Sequence, residues 1–337
     1  MTTSVSGTRN CAVDLHPVDP RAVDTSILGV STSVEDAGAM PQVERMGTAG
    51  QVALFGFIAI PLLAILAAIP VAWNRGLGWH DVLIATVMYA VAGHGITLGF
   101  HRSFTHGSFK ATRRHQIALA IAGSLTIEGP VIRWAADRRR HHAFSDREGD
   151  PHWPWRYGET VPALMMGLWW AHTGWLFDVE QTSRVKYAPD LMADRDVRRV
   201  HAAFPALVAM SVLTAAIIGG LWSMSWQGAA TAFFWGSLVR IGLRHHVTWS
   251  INSICQPIGE RPFTSADKSA HVWWLAILSM GESWPNLHHA DPTCARRGVD
   301  RGQLDSTART IWAFQKLGWA SDVRWPRPER LKHRRRQ

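Results

Sequence analysis

The sequence predicts an all-α membrane protein, with four transmembrane helices and a cytoplasmic helical cap that carries a histidine-rich site. Three observations predict it. Two pairs of apolar segments approach or reach the roughly 20 helical residues that a bilayer core requires. Basic residues crowd the long polar regions and avoid the short links between paired segments. Three histidine clusters sit in those polar regions or at their edges.

Residues 1–45 contain no apolar run of the signal-peptide kind and read as a flexible polar tail rich in Ser, Thr, Val and Asp. The first apolar pair is 51–73, which has no charged residue, and 82–100, also uncharged but interrupted by His94. The second pair is 203–222 and 228–243, joined by residues 223–227. Arg240 falls in what reads as the last turn of that segment, where a cation suits a helix C-terminus and can snorkel to the interface. Two weaker stretches, 117–127 and 161–177, read as amphipathic or interfacial helices; the alternative for 161–177, with Trp169, Trp170 and Trp175, is a fifth span.

Charge orients the spans. Residues 101–202 carry 15 Lys and Arg, residues 244–337 carry another 15, and the two short links carry one, Arg75. The positive-inside rule then places both long regions, both termini and the histidine clusters on the cytoplasmic side. The domain is expected to run from 46 to 330, followed by a basic C-terminal tail, 331–337, that is solvated or touches lipid.

Of 337 residues, 47% are hydrophobic and 18 are Trp, a residue that favours membrane interfaces and apolar channels. The net charge of +9 fits nucleic acid, anionic lipid or a phosphate-bearing substrate. No compact nucleic-acid motif is present and the basic residues flank the spans, so lipid and phosphate are favoured and nucleic acid is not expected. Cys11, Cys255 and Cys294 are too widely spaced for a CxxC redox or zinc motif.

The histidine clusters carry the chemistry. They are His101-Arg-Ser-Phe-Thr-His106, Arg138-Arg-Arg-His141-His142 and Pro285-Asn-Leu-His288-His289. Several imidazoles can hold a metal pair and leave room for oxygen. His101 and His106 are five apart, roughly 140° around an ideal α-helix, so they converge only if the helix ends there. His141 and His142 are adjacent and point in different directions, as are His288 and His289, so each pair can serve two metals.

With the stretches Gly95–His106, Arg139–His152, His245–Cys255 and Gly281–Trp284, these motifs resemble the bacterial membrane-bound acyl-lipid and acyl-CoA desaturases of the stearoyl-CoA, delta-9-like type, over about residues 50–330. The resemblance implies a set of nine histidines binding two irons, with an asparagine holding a metal-linked water. His101, His106, His141, His142, His288 and His289 match that set and Asn252 matches the asparagine, whereas Arg138, Gln256 and Pro285 stand where the family has the other three histidines. Asp137, His271 and Glu282 are the neighbours that could replace the lost ligands. Asp146 and Asp150 read as acceptors that orient ligand imidazoles or as turn caps, and Arg139, Arg140 and Arg147 as contacts to a phosphate-bearing head group or as a solvated face. Trp134, Trp153, Trp155, Trp169 and Trp170 read as walls of an acyl channel or as interface anchors.

What the resemblance implies in function is oxygen-dependent desaturation of a long-chain acyl-CoA or acyl lipid in a bacterial cytoplasmic membrane, with dioxygen as co-substrate and electrons from a separate reductase, with or without a ferredoxin. Two alternatives stand beside it. One is a catalytically degenerate homologue that binds lipid or a partner, and the other is a sister hydroxylase with an altered metal site.

Overall fold

The computed structural model describes residues 44–74 and 76–336. Most of the expected N-terminal tail (residues 1–43), Arg75 and Gln337 lie outside the described residues. Of the described chain most is helical, and the strands are four two-residue pieces: β1 (Glu44–Arg45) pairs with β3 (Glu180–Gln181), and β2 (Lys110–Ala111) pairs with β4 (Ala320–Ser321).

Helix α1 (Thr48–Trp73) has neither an acidic first turn nor a basic last turn, and it exposes Leu66 at 67% and Ile69 at 77%, a surface suited to lipid rather than water. Helix α2 (Trp79–His94) runs without a break into a π-helical segment, Gly95–Thr105. At Gly95 the backbones cross so closely that a Cβ would lie 2.1 Å from the amide nitrogen of Gly123, in α3 (Arg113–Ser124). Helix α4 (Val131–Phe144) packs on the same π-segment through Phe100, Phe104, Ile132 and Trp134, and this core extends to Leu191, Val197 and Val200. Those residues lie in α7 (Pro189–Ala193) and α8 (Arg195–Ala202), which follow α5 (Val161–His172) and α6 (Arg184–Tyr187).

Helix α5 has 12 residues, too few to span a bilayer core, and it exposes Val161, Met165, Met166 and Trp169. At that length α5 does not meet the fifth-span alternative for 161–177, and its exposed apolar face suits an interface.

Helix α9 (Phe204–Ser223), α1 and the joined segment Trp79–Thr105 are the three described helices long and apolar enough to cross a membrane. The fourth expected span is one helical rod in three parts, α10 (Trp226–Ala232), a π-segment (Phe233–Val239) and α11 (Arg240–Asn252). Arg240 and Arg244 make it less apolar than the other three. The rod continues past the expected end at residue 243, and Arg240 does not snorkel. It is 2% exposed and donates to the carbonyls of Gly236, Leu125 and Ser211 and to the Ser211 hydroxyl. Saturating a buried guanidinium with carbonyls removes the reason for it to reach the surface.

The last region holds α12 (Pro285–Ala290), α13 (Ser306–Lys316) and α14 (Pro328–Arg334). The basic C-terminus remains largely exposed, but it is tethered as well as solvated: Arg330 pairs with Asp291, Arg335 pairs with Asp300, and the amide of Thr264 donates to the carbonyl of Arg334.

Candidate metal centre

The π-helix decides how the first histidine pair is placed. The amide of His106 donates to the carbonyl of His101, an i→i+5 bond, and the Thr105 hydroxyl donates to Phe100 in the same register. In that winding, residues five apart are neighbours on one face, so His101 and His106 converge without the helix ending. Their ring centroids are 5.1 Å apart. Helix α4 brings His141 and His142 in its last turn, and α12 brings His288 and His289.

Four of these six rings face a common point. The Nε2 atoms of His288 and His101 are 3.1 Å apart, those of His288 and His142 are 2.9 Å apart, and the ring of His106 lies 4.4 Å from His142 and 4.6 Å from His288. One ligand atom from each of His101, His106, His142 and His288 falls within 4.8 Å of all the others. Two imidazole nitrogens each about 2.1 Å from one metal and about 90° apart would be roughly 3 Å from each other, so the spacing suits a shared cation. Protonation is opposed: burial first, and then charged neighbours, push His106, His142 and His288 well below the usual imidazole range. The Nε2 of His106 has no hydrogen-bond partner among the described residues. A set of four neutral imidazole nitrogens, two of its histidines fully buried and two part-buried, is the donor set that a borderline transition metal takes.

Carboxylates orient the rings. Nδ1 of His101 lies 2.5 Å from Oε2 of Glu282, and Nδ1 of His141 lies 2.9 Å from Oδ1 of Asp150. His289 is paired through Nδ1 with Asp267. Each such pairing fixes the tautomer and turns Nε2 outward. Burial alone would raise the Asp150 carboxyl, but His141 and His152 outweigh it and hold it at about 2. Burial would likewise raise Glu282, but Arg297 and His101 hold it well below the carboxylate range. Arg102, fully buried, joins Glu282 to Asp305 and ties the π-helix to the N-terminus of α13, where Asp305 caps Ala308.

With this geometry, the sequence comparison becomes specific. The sequence matches the Fatty acid desaturase family over residues 77–323. The chain belongs to the fatty acid desaturase family. It is 36% identical to a hex-5-enoyl-[acyl-carrier protein] acetylenase of Moorena producens (strain JHB) over 79% of this chain and 84% of that one. It is 33% identical to delta-9 acyl-lipid desaturase 1 of Arabidopsis thaliana over 74% of this chain and 76% of that one. It is also 33% identical to an sn-1 stearoyl-lipid 9-desaturase of Synechocystis sp. over 81% of this chain and 80% of that one.

At three positions the desaturase has other residues where the resemblance implies histidine. Arg138 is part-buried, with its guanidinium over Trp134 at 5.2 Å, and it donates from Nη1 to Oδ1 of Asn252 at 2.7 Å. Gln256 is 3% exposed, and its Oε1 has no partner among the described residues. Pro285 opens α12, where its missing N–H costs nothing. None of the suggested substitutes joins the four-nitrogen cluster. Glu282 is held by His101, Arg102 and Arg297, Asp137 lines the large cavity, and His271 packs against Phe263 and Trp284. His172 and His246 pair with each other, and His245 meets the carbonyl of Thr126. Asp267, Arg297 and Asp305 are structural parts of the site that sequence reasoning missed, because no motif spacing links them to the histidines.

A cavity of about 660 Å³ lies beside the site. Leu54, Phe57, Ile58, Ile127, Phe204 and Trp249 supply apolar wall, Arg133, Arg140 and Arg156 supply positive charge, and Glu128, Asp137, Glu148 and Asp178 supply negative charge. Trp134, Arg138 and Thr248 border both this cavity and a gap of about 20 Å³ that reaches His101, a space large enough for a water but not for a chain. Trp134 and Trp153 therefore wall the cavity, as one of the two readings expected. Of the three arginines suggested for a phosphate, only Arg140 lines it: Arg139 is held by Asp190 and Arg147 turns back to the carbonyl of Ala143.

Proposed function

We propose that this desaturase introduces a double bond into a long fatty acyl chain carried as a lipid ester or thioester, using dioxygen and a separate electron donor. The observation that carries the reading is the four-imidazole cluster in a chain of this family, beside an apolar cavity of ligand size. Iron suits neutral imidazoles, and bound there it would supply the oxidising power to take hydrogen from an unactivated methylene. The resemblance implies two irons; the four-histidine cluster accounts for one, and His141, Asp150 and His152 form a second group with ligand atoms within 4.8 Å of one another.

The chain's own residues bind and orient. The apolar wall takes the acyl tail, with Trp134 and Thr248 at the narrow end nearest His101. Arg133, whose Nη2 is buried without a partner among the described residues, and Arg140 and Arg156 suit a phosphate-bearing head group or carrier. Glu282, Asp150 and Asp267 aim the imidazoles. Removal of two hydrogens from adjacent methylenes, together with two electrons and two protons from the donor, reduces one dioxygen to two waters. The residue types that hold flavin or nicotinamide are not recognisable in the sequence, so the electrons are assigned to a reductase, with or without a ferredoxin.

We place four helices in the membrane, counting the rod 226–252 with the three apolar helices, and a helical cap with the histidine site on the cytoplasmic side. The segregation of Lys and Arg supports that orientation. The activity is tested by reconstituting the iron-loaded protein with reductase and ferredoxin in vesicles of saturated acyl lipid, with acyl-CoA as a second substrate. Products lacking two hydrogens, formed only with dioxygen, are expected. Hydroxylated products would favour the sister chemistry, and no product from folded, iron-loaded protein would remove the reading.

A further inference from the structure

We infer that residues 272–283, in the region assigned to the cytoplasmic cap, form a loop that dips into the bilayer hydrocarbon beside α2 and gives the cap a lipid contact of its own. The inference rests on the placement of Trp79–Thr105 in the membrane and is independent of the reaction.

From Val272 to Gly281 the chain carries no charged residue. Trp273, Trp274, Ile277 and Leu278 are exposed, Trp273 at 76% and Ile277 at 72%. Large apolar side chains grouped in this way on a surface mark a contact with something other than water. The other side of the loop is seated in the protein. Leu275 packs with Val247 of α11 and with Cys255 and Val272. Met280 lies so close to α2 that a Cβ on Gly93 would fall 2.5 Å from its methyl carbon.

Two observations identify the bilayer as the partner. The Tyr89 hydroxyl donates to the carbonyl of Leu278 at 2.8 Å. Tyr89 lies six residues before Gly95, about 9 Å along α2, and α2 exposes Val87 and Val91 on either side of it in sequence. The apolar patch of the loop therefore continues the lipid-facing surface of a span. The backbone supplies the second observation. The amides of Leu275, Ala276, Ser279, Met280, Gly281 and Glu282 all donate to carbonyls within the loop, and the amide of Val272 donates to Ser283 and closes its base. Hydrocarbon offers no hydrogen-bond partner, so irregular chain enters it only when its polar groups are satisfied by protein. A loop that faced water would be free of that requirement. Tryptophan is also the side chain suited to the boundary between headgroup and acyl chain.

The loop ends at the metal centre. Glu282, at its base, orients His101, and α12 with His288 begins at Pro285. Ser279 borders the same small gap as His101. The lipid contact thus sets the height of the histidine cluster relative to the acyl chains of the membrane.

The test is the depth of a nitroxide label at Ile277→Cys and at Trp273→Cys in the full-length protein, reconstituted in phosphatidylcholine vesicles. Power-saturation electron paramagnetic resonance compares collisions with oxygen, which concentrates in hydrocarbon, and with a nickel chelate, which stays in water. The unsubstituted protein gives the background from native cysteines, of which Cys255 and Cys294 are buried. Val87→Cys on α2 is the lipid reference and Arg309→Cys, exposed on α13, the water reference. An oxygen-to-nickel ratio near that of Val87→Cys, and several-fold above that of Arg309→Cys, is expected at both loop positions. A ratio equal to that of Arg309→Cys would overturn the inference. Few collisions with either reagent would overturn it too, since a second copy of the chain or another protein would then cover the loop. A water-like ratio at Val87→Cys would remove the placement of the span, and the inference with it. Trp273→Phe, which keeps an aromatic ring, gives a reading free of labelling: the tryptophan emission quenched by lipid brominated in mid-chain should fall relative to the unsubstituted protein. An unchanged quenched fraction would overturn the inference.

Discussion

Arg138 donates from Nη1 to Oδ1 of Asn252 at 2.7 Å, tying the middle of α4 to the last residue of α11. The bond puts a permanent cation beside four neutral imidazoles, and its removal should be felt by any ion they hold. Replacing Arg138 with Met keeps an apolar stem and removes the charge. Iron should then bind the cluster more tightly, by about tenfold or more, since the repulsion between a unit charge and a dication in a part-buried site is on the order of several kcal/mol before screening. Competitive titration against a chelator measures this. Unchanged or weaker binding would mean that Arg138 does not act on the site electrostatically.

Glu282 accepts from Arg102 and Arg297 and orients His101. Glu282→Gln keeps the shape and removes the charge, leaving two buried guanidinium groups with less compensation. Breaking such a network costs about 3–5 kcal/mol, and loss of an orienting partner lowers metal affinity roughly 10–100-fold. A thermal melt in detergent and an iron titration of the same sample read the two effects separately.

Gly95 sits where α2 and its π-helical continuation cross α3, and a Cβ there would fall 2.1 Å from the Gly123 nitrogen. Backbone cannot yield as a flexible side chain can. Gly95→Ala should destabilise the protein by about 1–3 kcal/mol or more, and because the π-segment carries His101, iron content should fall with it. A variant that melts like the parent would show that the two helices can separate at little cost.

Asp194 caps α8, accepting from the amides of Asp196 and Val197, and the Arg113 guanidinium beside it holds its carboxyl at about 2. Its folded-state value is depressed, so the unfolded chain binds the proton more readily. The contribution is therefore complete above about pH 4 and is lost as the pH falls through about 2. The site is partly open to solvent, which limits the contribution to about 1 kcal/mol. Asp194→Ala should lower the melting temperature at pH 7, and the difference from the parent should shrink towards pH 2.

The sequence is most legible where composition alone decides. Residues 51–73 have no charge to place, and α1 follows. The histidine clusters were visible because imidazoles are uncommon and their spacing is specific. The end of the fourth rod was set nine residues short because Arg240 reads as an interface residue; buried carbonyls on neighbouring helices, which no linear pattern announces, make it an internal one. The π-helix was not legible either. Its i→i+5 bonds arise from packing against α3 and α4, so an ideal α-helix put His101 and His106 on different faces. Asp267 and Arg297 escaped because their relation to the histidines exists only in three dimensions.

The cluster of His101, His106, His142 and His288 is proposed to carry an oxygen-dependent desaturation. It is tested most directly by measuring dioxygen consumed against double bonds formed, for the parent and for His288→Ala, with reductase and ferredoxin present. One dioxygen per double bond is expected in the parent and no double bonds in the variant. Double bonds formed by His288→Ala at the parent rate, or dioxygen consumed by the parent with no double bond formed, would contradict it.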